Sequence, residues 1–352
     1  MRFSTRLYFE KSAARTERLK GQSGIGNRAI GESAIGGIGQ SGESGNRGNC
    51  GIGESGRTLD GAADFAPFWP PVSLFCSLQD AIRASVHDGD VVAMEGFTHL
   101  IPFAAGHEVI RQQRRNLTLV RMTPDVIYDQ LIGAGCASRL VFSWGGNPGV
   151  GSLHRLRDAV EHGWPGPLAL DEYSHGAMAN AYDAGAANLP FAMFRTYPGS
   201  LAEVNPHYRT VTCPFTGETL VAVPALRPDV SIIHAQWADR EGNVLIEGII
   251  GVQKEAVLAA RRAVVTVEEV VDSFEGRHAN ACILPRWTIA AIAVVPGGAF
   301  PSYTFGYYAR DNAFYRAWDE ISRTREGFRA WIDEHVIGAG PEAFAAKGRQ
   351  VA

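Results

Sequence analysis

The chain has 352 residues, 45% of them hydrophobic and 20% charged, which is typical of a globular protein with one large or two ordinary domains. A net charge of -4 provides no basic field for nucleic acid, and no apolar run approaches the roughly 18 residues that a membrane helix needs. The five cysteines are far apart and lack a CxxC pair, so they predict neither a disulfide framework nor a zinc site. We therefore expect a cytoplasmic protein that binds no metal, nucleic acid or membrane.

The N-terminal part of the chain differs in composition from the rest. From Gly21 to Gly61 the sequence is rich in Gly and Ser, contains loose near-repeats and has no aromatic residue. Such a segment cannot bury enough apolar surface to offset the entropy of ordering the chain. We expect residues 1–73 to be a disordered extension and residues 74–352 to be the folded domain. A translation start near Val72 or Leu74 is an alternative explanation of the same boundary.

Helical and strand patterns alternate from residue 78 onward. Residues 78–89 have apolar side chains at helical spacing, and residues 90–97 form the first buried strand. Further helices are predicted at 103–115, 125–135, 152–163, 175–187 and 253–262, and further strands at 117–122, 138–144, 168–173, 191–197, 220–225, 230–236, 244–248, 263–271 and 288–296. This alternation predicts right-handed crossovers and an open, mostly parallel α/β sheet.

One long helix is predicted at residues 311–336, with Asp311 as its N-cap. A stripe of large side chains at helical spacing indicates a face that is buried in the core or in an interface. Its members are Phe314, Trp318, Ile321, Phe328 and Trp331.

Polar residues follow the buried strand that contains Val230 to Ile233. His234 and Gln236 come directly after this apolar run, at the expected carboxyl end of the strand. In open α/β sheets ligands bind at that end, so the pattern makes Gln236 a candidate binding residue. A His and a Gln past a strand also occur as hydrogen-bonded structural residues, and this alternative stays open.

The first strand closes with Glu95, Gly96, Phe97 and Thr98. Gly96 would let a ligand or a facing backbone approach closely. We expect Glu95 to be a solvated loop residue, with an influence on substrate choice as the alternative.

A third polar cluster ends the strand at 168–173. Glu172 would act as a base or nucleophile if burial raised its pKa. Ser174 or Asp171 could instead simply cap the following helix, and this explanation is at least as strong as a catalytic role for the cluster.

Four segments in collinear order carry a family resemblance. They are EGFTHLIPFAAGHEVIRQ at 95–112, LDEYSHGAMANAYDAGAANLPF at 170–191, the stretch at 214–248, and VVPGGAFPSYTFGYYARDNAFYRAWDEISRT at 294–324. Together they resemble the A (α) subunits of glutaconate CoA-transferases, a branch of the family I coenzyme A transferases. The similarity runs from about Leu78 to about Val336 and implies a Rossmann-like sheet. Those subunits usually have glycine where this chain has Glu95.

The resemblance implies covalent chemistry that is shared between two chains. Family I enzymes use a glutamate that attacks an acyl-CoA thioester, and in the glutaconate branch this glutamate belongs to the B (β) subunit. No stretch of this chain resembles that motif, so the chain is expected to be half an enzyme, active only with a β subunit in a heterodimer, heterotetramer or larger assembly.

The implied substrates are an acyl-CoA and a small carboxylic or dicarboxylic acid, glutaconate-like, with the CoA thioester as substrate and no permanently bound cofactor. Glu172, Ser174, Thr98 and Gln236 are expected to line the acid pocket.

The sequence leaves two other functions open. Related two-subunit steroid-ring hydrolases use a glutamate from this region of the α subunit, which would make Glu172 the base of a CoA-thioester ring hydrolase. The second is a non-catalytic sensor or scaffold with the same fold. A DNA-linked sensor is disfavoured because the sequence contains no helix-turn-helix or basic recognition helix.

Overall fold

The computed structural model describes residues 74–148, 150–195, 205–276, 281–340 and 343–350. The expected disorder of residues 1–73 lies outside this part of the chain. Within it, no helix is both long and apolar enough to cross a membrane.

The described residues contain short helices and strands in alternation. The helices are α1 (Leu78–Ser85), α2 (Phe103–Arg111), α3 (Val126–Gly133), α4 (His154–His162), α5 (His175–Ala186), α6 (Gln253–Ala259), α7 (Asn312–Ile321) and α8 (Arg325–Ile332). The strands are β1 (Val91–Met94), β2 (Leu117–Arg121), β3 (Ala137–Phe142), β4 (Ala169–Glu172), β5 (Phe191–Phe194), β6 (Arg209–Thr212), β7 (Thr219–Pro224), β8 (Val230–Asp239), β9 (Val244–Ile246), β10 (Arg262–Val271), β11 (Cys282–Leu284) and β12 (Ala291–Val294).

The central sheet is open and mostly parallel, which confirms the predicted fold class. Its parallel strands follow the order β12, β10, β8, β1, β2, β3, β4. The far end of β8 turns back into β9, which pairs antiparallel with β8 and with β11.

Helices cover both faces of this sheet. Along β1, Val92 and Met94 belong to a core cluster with α1 to α4, α7 and α8, whereas Ala93 packs with α5. Successive side chains of a strand point to opposite faces, so one short apolar strand serves both layers. This two-sided burial explains why the strands are continuous apolar runs rather than alternating ones.

A second, smaller sheet corrects the prediction for residues 191–197. β5 does not join the central sheet but pairs antiparallel with β7, which also pairs with β6. Ala192 and Phe194 pack toward the α5 layer, while Phe191 and Met193 on the other face are exposed. The strands β6 and β11 were not predicted, because each is short and lacks a long apolar run.

The predicted long helix at 311–336 is two helices. Asp311 caps α7 by accepting a hydrogen bond from Phe314 N at 2.9 Å, as predicted. α7 ends at Ile321, and Thr324 Oγ1 starts α8 by accepting a hydrogen bond from Gly327 N at 3.0 Å. The aromatic stripe lies in the core as expected, with Trp318 and Phe328 fully buried. A threonine cap inside the apolar pattern is therefore what divides it.

Candidate active site at the carboxyl edge of the sheet

The strand order reverses between β1 and β8. From β1 the sheet continues through β2 and β3 to β4, and from β8 it continues in the other direction to β10 and β12. Crossovers leave such a switch point toward opposite faces, which opens a crevice beyond the carboxyl ends of the two strands. Met94 pairs with Ile232, and β8 continues past it to Asp239. The crevice is therefore bounded by the turn after β1 and by the second half of β8.

The turn after β1 is tightly folded on itself. A Cβ on Gly96 would lie 2.7 Å from Leu100 O, so glycine is required here by the facing backbone rather than by a ligand. Thr98 and Leu100 have positive φ values of 58° and 56°. A β-branched residue in this region is strained, and such strain concentrates at functional sites. Thr98 O accepts a hydrogen bond from Ser302 Oγ at 2.9 Å, which holds the strained conformation in place.

His99 joins three segments around this turn. Its ring is buried, with Nδ1 3.2 Å from Ile249 O and Nε2 2.9 Å from Phe305 N. Since the backbone N–H of Phe305 must donate, Nε2 is the acceptor and Nδ1 carries the proton. Burial lowers the pKa of His99 to about 4, so the ring is neutral at pH 7. The neutral His99 ring therefore connects the turn to the loops after β9 and β12 by hydrogen bonds.

Glu95 is enclosed, which contradicts the expectation of a solvated loop residue. It is only 3% exposed, and its Oε1 accepts hydrogen bonds from Tyr182 OH at 2.9 Å and Met122 N at 3.1 Å. Burial raises its pKa to about 7, against the opposing effects of Arg121 and these hydrogen bonds. Both hydrogen-bond partners are distant in sequence, so no local pattern indicates this enclosure.

Gln236 lies in the second half of β8 and is fully buried. Its amide exchanges two hydrogen bonds with the backbone of Glu247, and Nε2 also lies 3.4 Å from Phe305 O. The side chain therefore faces the crevice loops but uses its polar atoms within the protein.

Glu172 and Ser174 occupy the same edge farther along the sheet. Arg121, Phe142 and Glu172 are aligned across β2, β3 and β4, so Glu172 lies three strands, or about 14 Å, from β1. The Glu172 side chain is exposed, and its carbonyl accepts a hydrogen bond from Asn205 Nδ2. Ser174 is the N-cap of α5, with Oγ accepting from Ala177 N at 3.1 Å. Thr98 and Gln236 are thus neighbours of the crevice, whereas Glu172 and Ser174 form its distant rim.

A buried polar network behind the crevice was not predicted from the sequence. His234 Nε2 lies 2.8 Å from Glu268 Oε1, which also accepts a hydrogen bond from Tyr308 OH at 2.7 Å. Glu268 Oε2 accepts from Gly297 N at 2.7 Å. These bonds connect β8 and β10 with the loop after β12. Alternating polar residues at 234, 266 and 268 within two apolar strands were the available signal.

Large apolar side chains are exposed around the crevice. Phe97, Ile249 and Phe305 are each between 43% and 47% exposed. A Cβ on Gly251 would lie 3.0 Å from Phe97 Cβ, and one on Gly248 would lie 3.2 Å from Phe305 Cβ, so glycines at these two points let the three loops converge. We call Phe97, Ile249 and Phe305 the apolar rim. In the described ranges, no cluster of three or more His, Cys, Asp or Glu side chains is arranged to hold a metal ion.

Comparison with known proteins agrees with this architecture. A family model described as coenzyme A transferase matches residues 75–294. The chain is 63% identical over 263 residues to the A subunit of 3-oxoadipate CoA-transferase from Pseudomonas knackmussii, a match that covers 74% of this chain and 93% of the relative. It is 33% identical over 286 residues to the A subunit of glutaconate CoA-transferase from Acidaminococcus fermentans, covering 76% and 88%.

A solved structure gives the same result. The crystal structure of glutaconate coenzyme A-transferase from Acidaminococcus fermentans superposes with a TM-score of 0.71 at 32% identity, covering 78% of this chain and 92% of that one. The family model spans both strands of the switch point, β1 and β8. The chain therefore belongs to the coenzyme A transferase family.

Proposed function

We propose that this chain is the A subunit of a heteromeric CoA-transferase that moves CoA between an acyl-CoA and a small dicarboxylic acid of the 3-oxoadipate kind. The observation that carries the proposal is the 63% identity to the A subunit of a 3-oxoadipate CoA-transferase over 93% of that relative. The more distant likeness to the A subunit of a glutaconate CoA-transferase supports the same substrate class, since both acids are short dicarboxylates.

The carboxylates at the edge of the sheet support a nucleophile supplied by another chain. Glu95 and Glu268 are buried, with Glu95 Oε1 accepting two internal hydrogen bonds and Glu268 accepting bonds on both oxygens. Glu172 is exposed but lies about 14 Å from β1. A carboxylate that attacks a thioester bound in the crevice would therefore come from a partner, which we propose is a B subunit.

The proposed reaction conserves the thioester energy. The partner's carboxylate attacks the acyl-CoA carbonyl, which releases CoA thiolate and leaves an acyl anhydride. The thiolate then attacks the glutamyl carbonyl and releases the acid, which gives an enzyme–CoA thioester. The second acid repeats the two steps in reverse order and leaves as its CoA ester.

The described residues fit distinct roles in this scheme. The strained Thr98 turn is proposed to bind the acid, and Gln236, whose amide holds the backbone of Glu247, shapes the pocket from behind, while Ser174 caps α5 at the distant edge. Glu172 lies about 14 Å from β1, too far to contact an acid at the Thr98 turn, so its role in the pocket stays a prediction that Glu172→Gln tests. The apolar rim, nearly half exposed in the single chain, is proposed to be covered by the B subunit, since exposed patches edged by polar residues mark protein interfaces.

Reconstitution tests the proposal directly. The chain is purified alone and together with a B subunit, and CoA transfer from succinyl-CoA to 3-oxoadipate and to glutaconate is measured. We expect transfer only by the complex, with a CoA thioester trapped by borohydride on the B subunit. Transfer by the isolated chain, or hydrolysis of acyl-CoA without an acid acceptor, would contradict the proposal.

A further inference from the structure

Glu95 lies at the switch point in a buried position, where an ionised carboxyl group costs free energy. It follows the last residue of β1 and immediately precedes the turn proposed to bind the acid. One oxygen, Oε1, accepts both Tyr182 OH from α5 and Met122 N from the end of β2. The side chain thus connects the ends of two strands to a helix on one face of the sheet.

The charges that face Glu95 do not balance it. Arg121, from β2, donates to Asp125 Oδ1 at 2.9 Å and to Gly96 O at 2.7 Å. Tyr128 from α3 and Tyr182 from α5 are the other titratable groups nearby, and both are neutral because burial raises their pKa values well above the usual range. The Arg121 guanidinium is held directly by Asp125, which also has the cation Arg310 nearby, so Glu95 has no cation among the described residues bonded to its carboxyl group.

In this arrangement the Glu95 carboxyl group gains and loses its proton near pH 7. A second unpaired negative charge in this enclosed space would cost more than a neutral carboxyl group. Burial accordingly raises the pKa of Glu95 to about 7. Arg121 also holds the carbonyl of Gly96, so the charge state of Glu95 acts on a group that fixes the turn.

We propose that Glu95 is a positioning and specificity-determining residue that admits an anionic acid to the Thr98 turn when it is neutral and disfavours the acid when it is ionised. This inference rests on the proposed function, because it takes a carboxylate as the ligand of that turn. For an assumed separation of about 10 Å and an effective dielectric constant of about 20, repulsion between two like charges weakens binding roughly tenfold.

A purely structural role of Glu95 would behave differently from an electrostatic role. If Glu95 only held the fold together, its replacement would weaken acid binding at every pH and would also lower kcat. If Glu95 acts through its charge, the KM for the acid changes only in the pH range where Glu95 ionises, and kcat stays nearly constant. The pH profile of the KM therefore separates the two roles.

The experiment uses the complex of both subunits with Glu95→Gln, and Glu108→Gln as the matched control. Glu108 is also buried but bonds to Arg111 on α2, away from the crevice. The KM for the acid acceptor and the Kd for adipate, a stable dicarboxylate, are measured from pH 5.5 to 8.5. In wild type and Glu108→Gln we expect both constants to rise roughly tenfold above pH 7. In Glu95→Gln we expect both to stay low.

If Glu95→Gln does not fold, a second variant, Tyr182→Phe, still tests the inference. Tyr182→Phe removes one hydrogen bond to Oε1 but keeps the carboxyl group, so the midpoint of the profile should move to higher pH. An unchanged midpoint, or a Glu95→Gln profile that follows wild type, would overturn the inference. CoA transfer with pH-independent adipate binding would overturn only the role of Glu95. Adipate binding that depends on pH through Glu95, without CoA transfer, would overturn only the proposed function.

Discussion

Gln236 and Glu247 bind each other across the β8–β9 hairpin through a side chain that replaces a backbone pair. Gln236 Nε2 donates to Glu247 O at 2.9 Å, and Glu247 N donates to Gln236 Oε1 at 3.1 Å. The backbone ladder of the hairpin consists of Trp237 with Leu245 and Ala238 with Val244. The amide extends this ladder by one rung, just where the chain turns toward the apolar rim.

Replacing Gln236 with alanine should destabilise the fold. Both backbone groups of Glu247 would lose their partners in a buried site, which costs about 1–3 kcal/mol for each group. We expect the free energy of unfolding to fall by about 2–6 kcal/mol, measured by urea denaturation of the full chain. Gln79→Ala on the exposed face of α1 is the control and should change it by less than about 0.5 kcal/mol. A Gln236→Ala loss as small as that of the control would mean that water or a backbone shift satisfies Glu247.

Asp129 should be similarly important for the start of α4. Its Oδ1 accepts hydrogen bonds from Arg155 N at 2.9 Å and Leu156 N at 2.8 Å, and Oδ2 accepts from Trp318 Nε1 at 3.0 Å. A carboxyl group from α3 thus caps another helix, whose own N-cap residue provides no side-chain hydrogen bond.

We expect Asp129→Ala to lower the free energy of unfolding by about 3 kcal/mol, since three buried donors lose their acceptor. The measurement is again the midpoint and slope of urea unfolding, with the exposed Asp183→Ala as control. Equal midpoints for the two variants would show that α4 does not depend on this cap.

The local sequence pattern predicts which residues form the buried strands of the central sheet, but it does not predict which strands pair with each other. The apolar runs at β1, β2 and β8 predict buried strands because both faces of the sheet are covered. β5 has the same kind of sequence, yet it pairs with β7 in a separate sheet. The partner of a strand is set by contacts that are distant in sequence, so composition alone does not distinguish the two outcomes.

The same limit explains the errors at the site. The hydrogen-bond partners of Glu95 are 27 and 87 residues away along the chain. No local pattern indicates that Met122 N and Tyr182 OH will enclose this carboxyl group, so solvent exposure was the wrong expectation. Only the approximate edge of the sheet could be located from the sequence, because β8 continues to Asp239 and therefore contains Gln236, which was expected at the carboxyl end of the strand.

Glu172→Gln distinguishes a transferase from a hydrolase. In a transferase this exposed residue does no chemistry, so we expect an unimpaired CoA adduct on the B subunit and at most a several-fold change in the KM for the acid. In a hydrolase the same change removes the general base and should lower the rate by about 10²–10⁴-fold. Steady-state rates are combined with mass spectrometry that detects the adduct once the complex has been exposed to acyl-CoA.

The exposed Glu161→Gln on α4 is the control for Glu172, since it changes the same group on the surface of another helix. A wild-type complex without an adduct, together with an inactive Glu172→Gln complex, would replace the transferase with the hydrolase. Unchanged kinetics of Glu172→Gln would leave Glu172 as a residue that only ends β4.

Glu95 should also leave a signature in the pH dependence of stability that needs no substrate. Its pKa is about 7 in the folded chain, against an ordinary value of 4.5. Between these pH values the folded state keeps a proton that the unfolded state has released. The folded state therefore binds more protons, and stability falls as the pH rises through this window.

Glutamine does not titrate, so Glu95→Gln lacks this loss of stability. We expect wild type to lose about 3 kcal/mol relative to Glu95→Gln between pH 4.5 and 7.5, measured by urea unfolding of the full chain at fixed concentration. Any packing defect of the glutamine adds an offset that does not vary with pH. A difference between the two proteins that stays constant over the whole range would mean that Glu95 is ionised in the fold with an ordinary pKa, despite its enclosure by Tyr182 and Met122.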